Sequence, residues 1–190
     1  MTGTQRGLTV PASCTSRQPS NDCTSSSSSS QFSNAKQVGM VRGAYHFANT
    51  YESTGAVQAS YFVTHGGTWS NDGQTLPPML DIEYDPYTSS DGTNSCYSLS
   101  QPAMVAWITK FSNTVLSLTG TLPAIYTTTN WWNLCTGGNR SFASNSLLVA
   151  YWVDNLSTGA GQLPATWNTY SLWQYADSGV FLGDQDLVQR

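Results

Sequence analysis

Blocks of hydrophobic and polar positions alternate from Val38 to the end of the chain, and the spacing within each block predicts one element. Continuous apolar runs of five to eight residues predict buried strands, and apolar residues at helical spacing, closed by glycine, predict helices. The pattern predicts three strand–helix units in succession. Their strands and helices cover residues 40–47 and 54–65, then 79–84 and a helix from Ser98 or Ser100 to Gly120, then 123–128 and 130–134.

Three further apolar runs lie at residues 147–153, 170–175 and 183–187, with shorter connections between them. A parallel crossover through a helix needs a dozen or more residues, so these runs predict strands joined by loops. Strands that alternate with helices and carry polar groups at their carboxyl ends favour an α/β barrel. The alternative, an open doubly wound sheet, usually has a glycine-rich phosphate loop after its first strand, and Gly66-Gly67 follows a helix instead.

The first 35 residues differ from the rest of the chain. They hold an unbroken serine tract from Ser25 to Ser30, and their one apolar run is residues 7–10. Low-complexity polar tracts cannot bury enough apolar surface to become ordered. We therefore predict a mostly disordered segment at 1–35 and one folded domain at 36–190.

Composition narrows the class of protein. The chain has 190 residues, 12% aromatic and 9% charged, which suits a single domain with a polar surface and an aromatic-lined binding region. No long apolar segment predicts a membrane span. A net charge of −4 with seven scattered basic residues argues against nucleic acid as a partner. Two histidines and no Cys-x-x-Cys argue against a catalytic metal, and no cofactor is predicted.

The four cysteines are compatible with two disulfides in an oxidising compartment, although they allow three pairings. Cys96 and Cys135 follow successive predicted strands and could be bridged by their loops. Cys14 and Cys23 are close enough in sequence for a local link. Four free thiols are the alternative.

Two N-glycosylation sequons begin at Asn139 and Asn155 and fit a secreted protein. Residues 1–6 lack the apolar stretch of a secretory signal peptide, so no such signal is visible at the start of this chain.

One stretch carries the candidate chemistry, Leu80-Asp-Ile-Glu-Tyr84, an apolar run with two acids at alternate positions. In an extended strand Asp81 and Glu83 point to the same side, with Cα atoms about 6.5 Å apart. Two acids so placed are costly to ionise together, so one of them should keep its proton to a higher pH than a free carboxyl group. Acid catalysis requires such a proton.

Five short motifs occur in order: Arg42-Gly-Ala-Tyr-His-Phe47, Leu80-Asp-Ile-Glu83, Ile125-Tyr-Thr127, Ala150-Tyr-Trp152, and Trp173-Gln-Tyr175 followed by Asp186-Leu187. Together they resemble glycoside hydrolase family 25, the Chalaropsis-type lysozymes or N-acetylmuramidases, over residues 32–190. The resemblance implies hydrolysis of the β-1,4 bond between N-acetylmuramic acid and N-acetylglucosamine in peptidoglycan. It also implies a modified TIM-type (β/α)5(β)3 barrel and an extracellular, monomeric protein.

The resemblance also implies roles for single residues. Glu83 would donate the proton to the leaving oxygen, Asp81 would hold the substrate's acetamido group or stabilise the intermediate, and Asp186 would join the acidic cluster. Five side chains would form the substrate-binding wall: Tyr45, Tyr126, Trp152, Trp173 and Gln174. Alternation places His46 on the opposite face from Tyr45, as a structural hydrogen-bonding residue, and His65 is predicted at a helix end.

The chain departs from the family pattern at its front. Family members begin with a strand carrying Gly-Ile-Asp-Val-Ser and a second strand, and the only acid in residues 1–35 is Asp22, in a serine-rich context. The pattern therefore predicts a barrel that is incomplete at its N-terminus, with open strand edges and weak or no activity. The alternatives are a non-catalytic carbohydrate-binding lysozyme-like protein and, less favoured, a chitinase-type barrel, whose longer acidic run residues 76–80 lack.

Overall fold

The computed structural model describes residues 8–9, 12–13, 28–179 and 183–189, with side chains from residue 32 onward. The strands are β1 (Leu8–Thr9), β2 (Ala12–Ser13), β3 (Val41–Arg42), β4 (Tyr45–Phe47), β5 (Met79–Asp81), β6 (Ala124–Thr127), β7 (Leu147–Ala150), β8 (Leu172–Ala176) and β9 (Gln185–Val188). The helices are α1 (Ser28–Gln37), α2 (Gly55–Thr64), α3 (Thr88–Asp91), α4 (Gln101–Thr119) and α5 (Thr129–Thr136). No helix among the described residues is long and apolar enough to cross a membrane.

The chain forms two compact units. The first contains residues Met1–Leu80 and Lys110–Pro123, and the second contains Asp81–Thr109 and Ala124–Arg190. The division falls inside β5 and inside α4, so each of these elements contributes residues to both units.

In the first unit β1 pairs in parallel with β3, and β2 pairs in parallel with β4. Helix α2 begins where the Thr54 side chain accepts a hydrogen bond from the Val57 backbone N–H, as its predicted start requires. His46 packs against the rings of Phe62 and Phe111, whose centroids are each 5.6 Å away, and its Nε2 is 2.9 Å from Gln58 Oε1. Burial lowers the His46 pKa, and its prediction as a structural histidine is confirmed.

The predicted disorder of residues 1–35 is wrong for the described part of that segment. Helix α1 begins at Ser28, so the predicted boundary at residue 35 lies inside a helix. The Phe32 ring lies 4.5 Å from the guanidinium carbon of the buried Arg42, which also pairs with Asp72 at 3.3 Å. This cation–π contact fixes α1 to the strand, and composition does not reveal it. The open edge predicted for the unpaired strand is also wrong at β4, because β2 runs alongside it.

The single strand predicted over residues 40–47 is two strands, separated at Gly43. The backbone of Arg42 bonds to the segment 74–76: its N–H donates to Gln74 O at 2.9 Å and its C=O accepts from Leu76 N at 2.7 Å. A Cβ at Gly43 would lie 3.0 Å from the Leu76 Cβ. The close passage of a second segment therefore interrupts the strand.

In the second unit β6, β7 and β8 run parallel, and β9 pairs antiparallel with β8. Ile125, Leu147 and Val149 are buried, and β7 is buried on both faces. Between β7 and β8 only a short 3-10 helix, Leu156–Thr158, is present, which confirms the predicted change from strand–helix to strand–loop. The fold is mixed α/β with parallel strands.

A disulfide joins Cys96 to Cys135, with Cα atoms 5.4 Å apart, and confirms this pairing. It links the loop after β5 to α5, where Trp131 Nε1 also donates to Ser95 O at 3.0 Å. For a sequence separation of 39 the chain-entropy estimate of its stabilisation is about 4 kcal/mol. Cys14 and Cys23 lie outside the described residues.

Candidate active site

Asp81 and Glu83 lie at the carboxyl end of β5. Ile82, between them, is fully buried, and its N–H donates to Tyr126 O at 3.0 Å, which keeps the chain extended beside β6. Because successive side chains of an extended segment point to opposite sides, Asp81 and Glu83 share the side away from Ile82. The charge of Glu83 raises the pKa of Asp81, so the two carboxyl groups lie close enough to interact.

Strand β9 supplies two further acids. Asp186 lies directly opposite Gln174 of β8, and cross-strand partners in an antiparallel pair point to the same face. Asp184 lies two residues earlier, just before β9, and its charge raises the pKa of Asp81, Glu83 and Asp186. Asp184 was not predicted as a site residue. The signal for it is an acid-x-acid spacing in Asp184-Gln185-Asp186, the same spacing as in the first pair.

All four carboxyl groups have raised pKa values, and burial is the largest cause for each. For Asp81 the charges of Glu83 and Asp184 come second, and its pKa is raised well above the usual range. For Glu83 the charge of Asp184 comes second. The pKa of Asp186 is raised to about 6. The sequence predicted a raised pKa from like-charged neighbours, whereas removal of water is the stronger effect.

Two oxygens of this acid cluster are buried without a hydrogen-bond partner among the described residues, Asp81 Oδ1 and Asp186 Oδ1. An unpaired buried acceptor typically costs about 1–3 kcal/mol. Protonation of the carboxyl group lowers that cost and gives the group an O–H that can donate a hydrogen bond. This unmet hydrogen-bonding capacity favours the protonated form of both carboxyl groups, in agreement with their raised pKa values.

Gln174 organises the wall beside the acids. Its Oε1 accepts hydrogen bonds from Tyr126 Oη and from Trp152 Nε1, each at 2.9 Å. Because both donors meet the oxygen, Nε2 is directed away from them and keeps its two N–H groups for another acceptor. Gln174 and Tyr126 are buried, whereas the Trp152 side chain is 58% exposed, so its ring is anchored at one edge and open on its faces.

Trp173 does not reach this wall, and its predicted substrate contact is not supported by its position. It neighbours Gln174 in β8 and so points to the opposite face, where it is 2% exposed. Its Nε1 donates to Tyr151 O at 2.8 Å, and its ring packs edge-on against Tyr175. Tyr45 lies in the first unit, half-buried in β4, and its part in binding stays a prediction.

Tyr97, which the sequence did not single out, is fully buried next to the disulfide and has a left-handed backbone, with φ of 55°. Burial and the charges of Asp85, Glu83 and Asp81 raise its pKa, so the phenol is neutral at every physiological pH. Backbone strain in a residue without glycine's freedom often marks a functional site. Asp85 itself holds the loop, because it accepts hydrogen bonds from Tyr87 N and Thr93 Oγ1.

No group of three or more His, Cys, Asp or Glu side chains in the part of the chain that the structure describes is arranged to hold a metal ion. The chemistry available is that of carboxyl groups, one amide and aromatic rings. Paired carboxyl groups in which one is protonated at working pH are the equipment of glycoside hydrolysis.

Comparison with known proteins decides the family. The model of glycosyl hydrolases family 25 matches residues 19–184. The chain belongs to this family. The family match begins earlier than the resemblance read from the motifs, which started at residue 32.

The N,O-diacetylmuramidase of Chalaropsis sp is 40% identical over 169 residues, which cover 87% of this chain and 76% of that protein. Lysozyme M1 of Streptomyces globisporus is 40% identical over 162 residues, and this chain spans about half of its length, 52%. Among solved structures, the muramidase from Acremonium alcalophilum matches with a TM-score of 0.82 at 41% identity, over 96% of this chain and 81% of that one. The bacterial lysozyme from Streptomyces coelicolor matches with a TM-score of 0.80 at 32% identity, over 96% and 79%.

As a member of family 25, the chain is a glycoside hydrolase by descent. Its second unit contains the acids that the sequence assigned, Asp81, Glu83 and Asp186, together with Tyr126, Trp152 and Gln174. Asp184 is the addition that the structure makes to this set.

Proposed function

We propose that this protein hydrolyses the β-1,4 bond between N-acetylmuramic acid and N-acetylglucosamine in bacterial peptidoglycan. The observation that carries the proposal is Glu83, a half-buried acid whose raised pKa keeps a proton available next to three other acids. The family relatives are muramidases and lysozymes by name, and the match spans most of this chain.

Glu83 is the proton donor in this proposal, in preference to Asp81. Both pKa values are raised, mainly by burial, but Asp81 Oδ1 is enclosed in the protein and has no hydrogen-bond partner among the described residues. Glu83 keeps some exposed surface and can reach a leaving oxygen. The proton moves from Glu83 to the glycosidic oxygen as the bond to the anomeric carbon breaks, and positive charge develops on the sugar ring.

We assign different roles to Asp81 and Asp186. Protonated Asp81 offers an O–H donor to the acetamido oxygen of the sugar, through a carboxyl group that now has one oxygen without a partner. Asp186, whose pKa is about 6, is mostly ionised at neutral pH and stabilises the developing positive charge.

The aromatic wall binds the glycan strand. Sugar rings present apolar faces that stack on aromatic side chains, and the open face of Trp152 suits this contact. Gln174 adds an amide donor fixed in direction by Tyr126 and Trp152.

The finer architecture and setting belong to the same proposal. We expect a modified (β/α)5(β)3 barrel, because the strand–helix units are followed by strands joined through loops and the match to a solved muramidase extends over 96% of the chain. An extracellular location is supported by the Cys96–Cys135 disulfide, which persists in oxidising compartments, and we expect a monomer from the family resemblance.

The experiment compares Glu83→Gln with Glu52→Gln, the same change at the only other glutamate, which is exposed in the first unit. Clearing of a bacterial wall suspension and release of reducing sugar are measured together. Loss of the general acid should reduce the rate about 100- to 10,000-fold, whereas Glu52→Gln should match the wild type. If Glu83→Gln clears walls at the wild-type rate, the assignment of the acid is wrong.

A second candidate is a non-catalytic protein that binds peptidoglycan. It is favoured by β1 and β2, Leu8–Thr9 and Ala12–Ser13, which carry no carboxyl group where the family pattern has a first-strand acid. Binding of the wild type to insoluble walls without sugar release would support this candidate. The weak activity expected from the absent acid stays a prediction, and a rate equal to that of a longer family 25 lysozyme would contradict it.

A further inference from the structure

The two N-glycosylation sequons have no part in the proposed catalysis, and they lie in different surroundings. One begins at Asn139 after α5, and the other begins at Asn155 in the connection between β7 and β8. An acceptor asparagine must present its amide nitrogen to an enzyme, so exposure of the sequon and freedom of that nitrogen decide which one suits modification.

All three positions of the second sequon, Asn155, Leu156 and Ser157, are exposed. Asn155 stands at the start of the 3-10 helix in extended conformation, and its Oδ1 accepts a hydrogen bond from Ser157 N at 3.0 Å. This turn occupies the oxygen of the amide and leaves Nδ2 without a hydrogen bond to the described residues. The nitrogen therefore points outward on an exposed loop.

The first sequon forms the same turn, because Asn139 Oδ1 accepts a hydrogen bond from Ser141 N at 2.9 Å, but it is less exposed and its backbone is held more tightly. Asn139 is half-buried, its carbonyl accepts hydrogen bonds from the buried Trp132 Nε1 and from Thr166 Oγ1, and its N–H donates to Thr136 Oγ1. Because Trp132 belongs to the core, its bond to Asn139 fixes the backbone at this position.

We propose that Asn155 carries an N-linked glycan when the chain passes through a eukaryotic secretory pathway. The donor is an oligosaccharide on a lipid pyrophosphate. Nδ2 forms a bond to the anomeric carbon, the bond from that carbon to the pyrophosphate oxygen breaks, and one amide proton leaves with the lipid pyrophosphate. The proposal rests on the extracellular location proposed above, and does not depend on the muramidase activity.

The position of Asn155 gives the glycan a physical effect. Three large apolar side chains near it in sequence are about half exposed, Tyr151 at 49%, Trp152 at 58% and Leu156 at 46%. A bulky hydrated glycan at Asn155 would shield the neighbouring Leu156, whereas Trp152 has to stay open for its proposed contact with sugar rings.

The test expresses the full chain behind a secretion leader in yeast and reads the mass before and after treatment with an amidase that removes N-glycans. The wild type should lose one glycan mass, and the amidase should convert Asn155 to aspartate, which peptide mass spectrometry detects directly. Asn155→Gln and Ser157→Ala should lack this glycan, and Ser157→Thr, which keeps the hydroxyl, should retain it. Asn139→Gln should leave the Asn155 glycan in place.

An unmodified Asn155 peptide from the secreted wild type would overturn the proposal. So would a glycan mass that persists in Asn155→Gln and disappears in Asn139→Gln. If a variant is not secreted, the peptide analysis of the wild type still decides. None of these readouts involves wall hydrolysis, so failure of the proposed enzymatic function would leave them unchanged.

Discussion

Asp184 is the site residue that the structure adds, and its replacement by asparagine tests the electrostatics of the whole acid cluster. Its charge raises the pKa of Glu83, second only to burial. Asp184→Asn removes that charge and keeps the size of the side chain. The pKa of Glu83 should therefore fall, and the alkaline limb of activity, which requires protonated Glu83, should move to lower pH.

The size of the shift follows from Coulomb's law. For an assumed separation of about 8 Å, two unit charges interact with about 1 kcal/mol at an effective dielectric constant of about 40. The dielectric constant is set high because Asp184 is exposed, so solvent screens its charge. At 1.36 kcal/mol per pKa unit, we expect the Glu83 pKa to fall by about 0.5 to 1 unit.

The pKa of Glu83 can be measured by NMR without overlap from many similar signals, because the chain contains only two glutamates, Glu52 and Glu83. Protein labelled with carbon-13 at the glutamate side-chain carboxyl gives two signals, and Glu52→Gln identifies which belongs to Glu83. Titration of that signal reports the pKa whether or not the protein is active. Asp177→Asn is the matched control, because the Asp177 charge acts on Asp184 and is no cause of the Glu83 shift. An unchanged Glu83 pKa in Asp184→Asn, or an equal fall in both variants, would refute the reasoning.

Two other predictions concern Asp186 of the acid cluster and Gln174 beside it. In the folded state the pKa of Asp186 is raised from 3.8 to about 6. Protonation of this carboxyl group therefore contributes fully to the stability of the fold below the unfolded pKa, and this contribution is lost as the pH rises through 6. Asp186→Asn should therefore stabilise the fold at pH 7.5 by about 1–2 kcal/mol, which is half of the full linkage value because the residue is partly exposed. Urea unfolding should show this gain at pH 7.5 and no gain near pH 3. A gain that does not depend on pH would contradict the prediction. Gln174→Glu keeps an acceptor for the Trp152 indole but loses the amide donor, whereas Gln174→Leu loses both. We expect both changes to raise KM about tenfold or more. Only Gln174→Leu should move the NMR resonance of the Trp152 indole N–H, which Trp152→Phe identifies, to the position of an indole without a hydrogen bond. Equal shifts in both variants would contradict the proposal that Gln174 orients Trp152.

The parts of the fold that local signals encode were predicted correctly. Thr54 caps α2, and Gly120, with φ of 78°, follows the last residue of α4, as their residue types indicate. The parts that failed depend on contacts between distant segments. Helix α1 is fixed by Phe32 on Arg42, and the strand at Gly43 is interrupted by the passage of Leu76. Neither contact leaves a pattern within its own segment.

The candidate site shows the same division. Alternation alone predicted Asp81 and Glu83 on one side, and the effect of the Glu83 charge on the Asp81 pKa agrees with this. Alternation also argues against the prediction that Trp173 contacts the substrate. Neighbouring residues in a strand point to opposite faces, and Gln174 lies on the same face as Asp186. Asp184 was readable from its spacing to Asp186. That the two pairs of acids meet depends on the pairing of β9 with β8, which the weak apolar run of β9 did not predict.

The cause of the raised pKa values bears on the prediction that an acid of the family's first strand is missing. Burial is the first cause at Glu83, and charge repulsion is the second. A missing negative charge would lower the Glu83 pKa somewhat, but burial would still keep it above that of a free glutamate. Proton donation therefore does not require the missing acid. Stabilisation of the positively charged transition state does benefit from each ionised neighbour, so any deficit should lie in kcat, with the Glu83 pKa still raised.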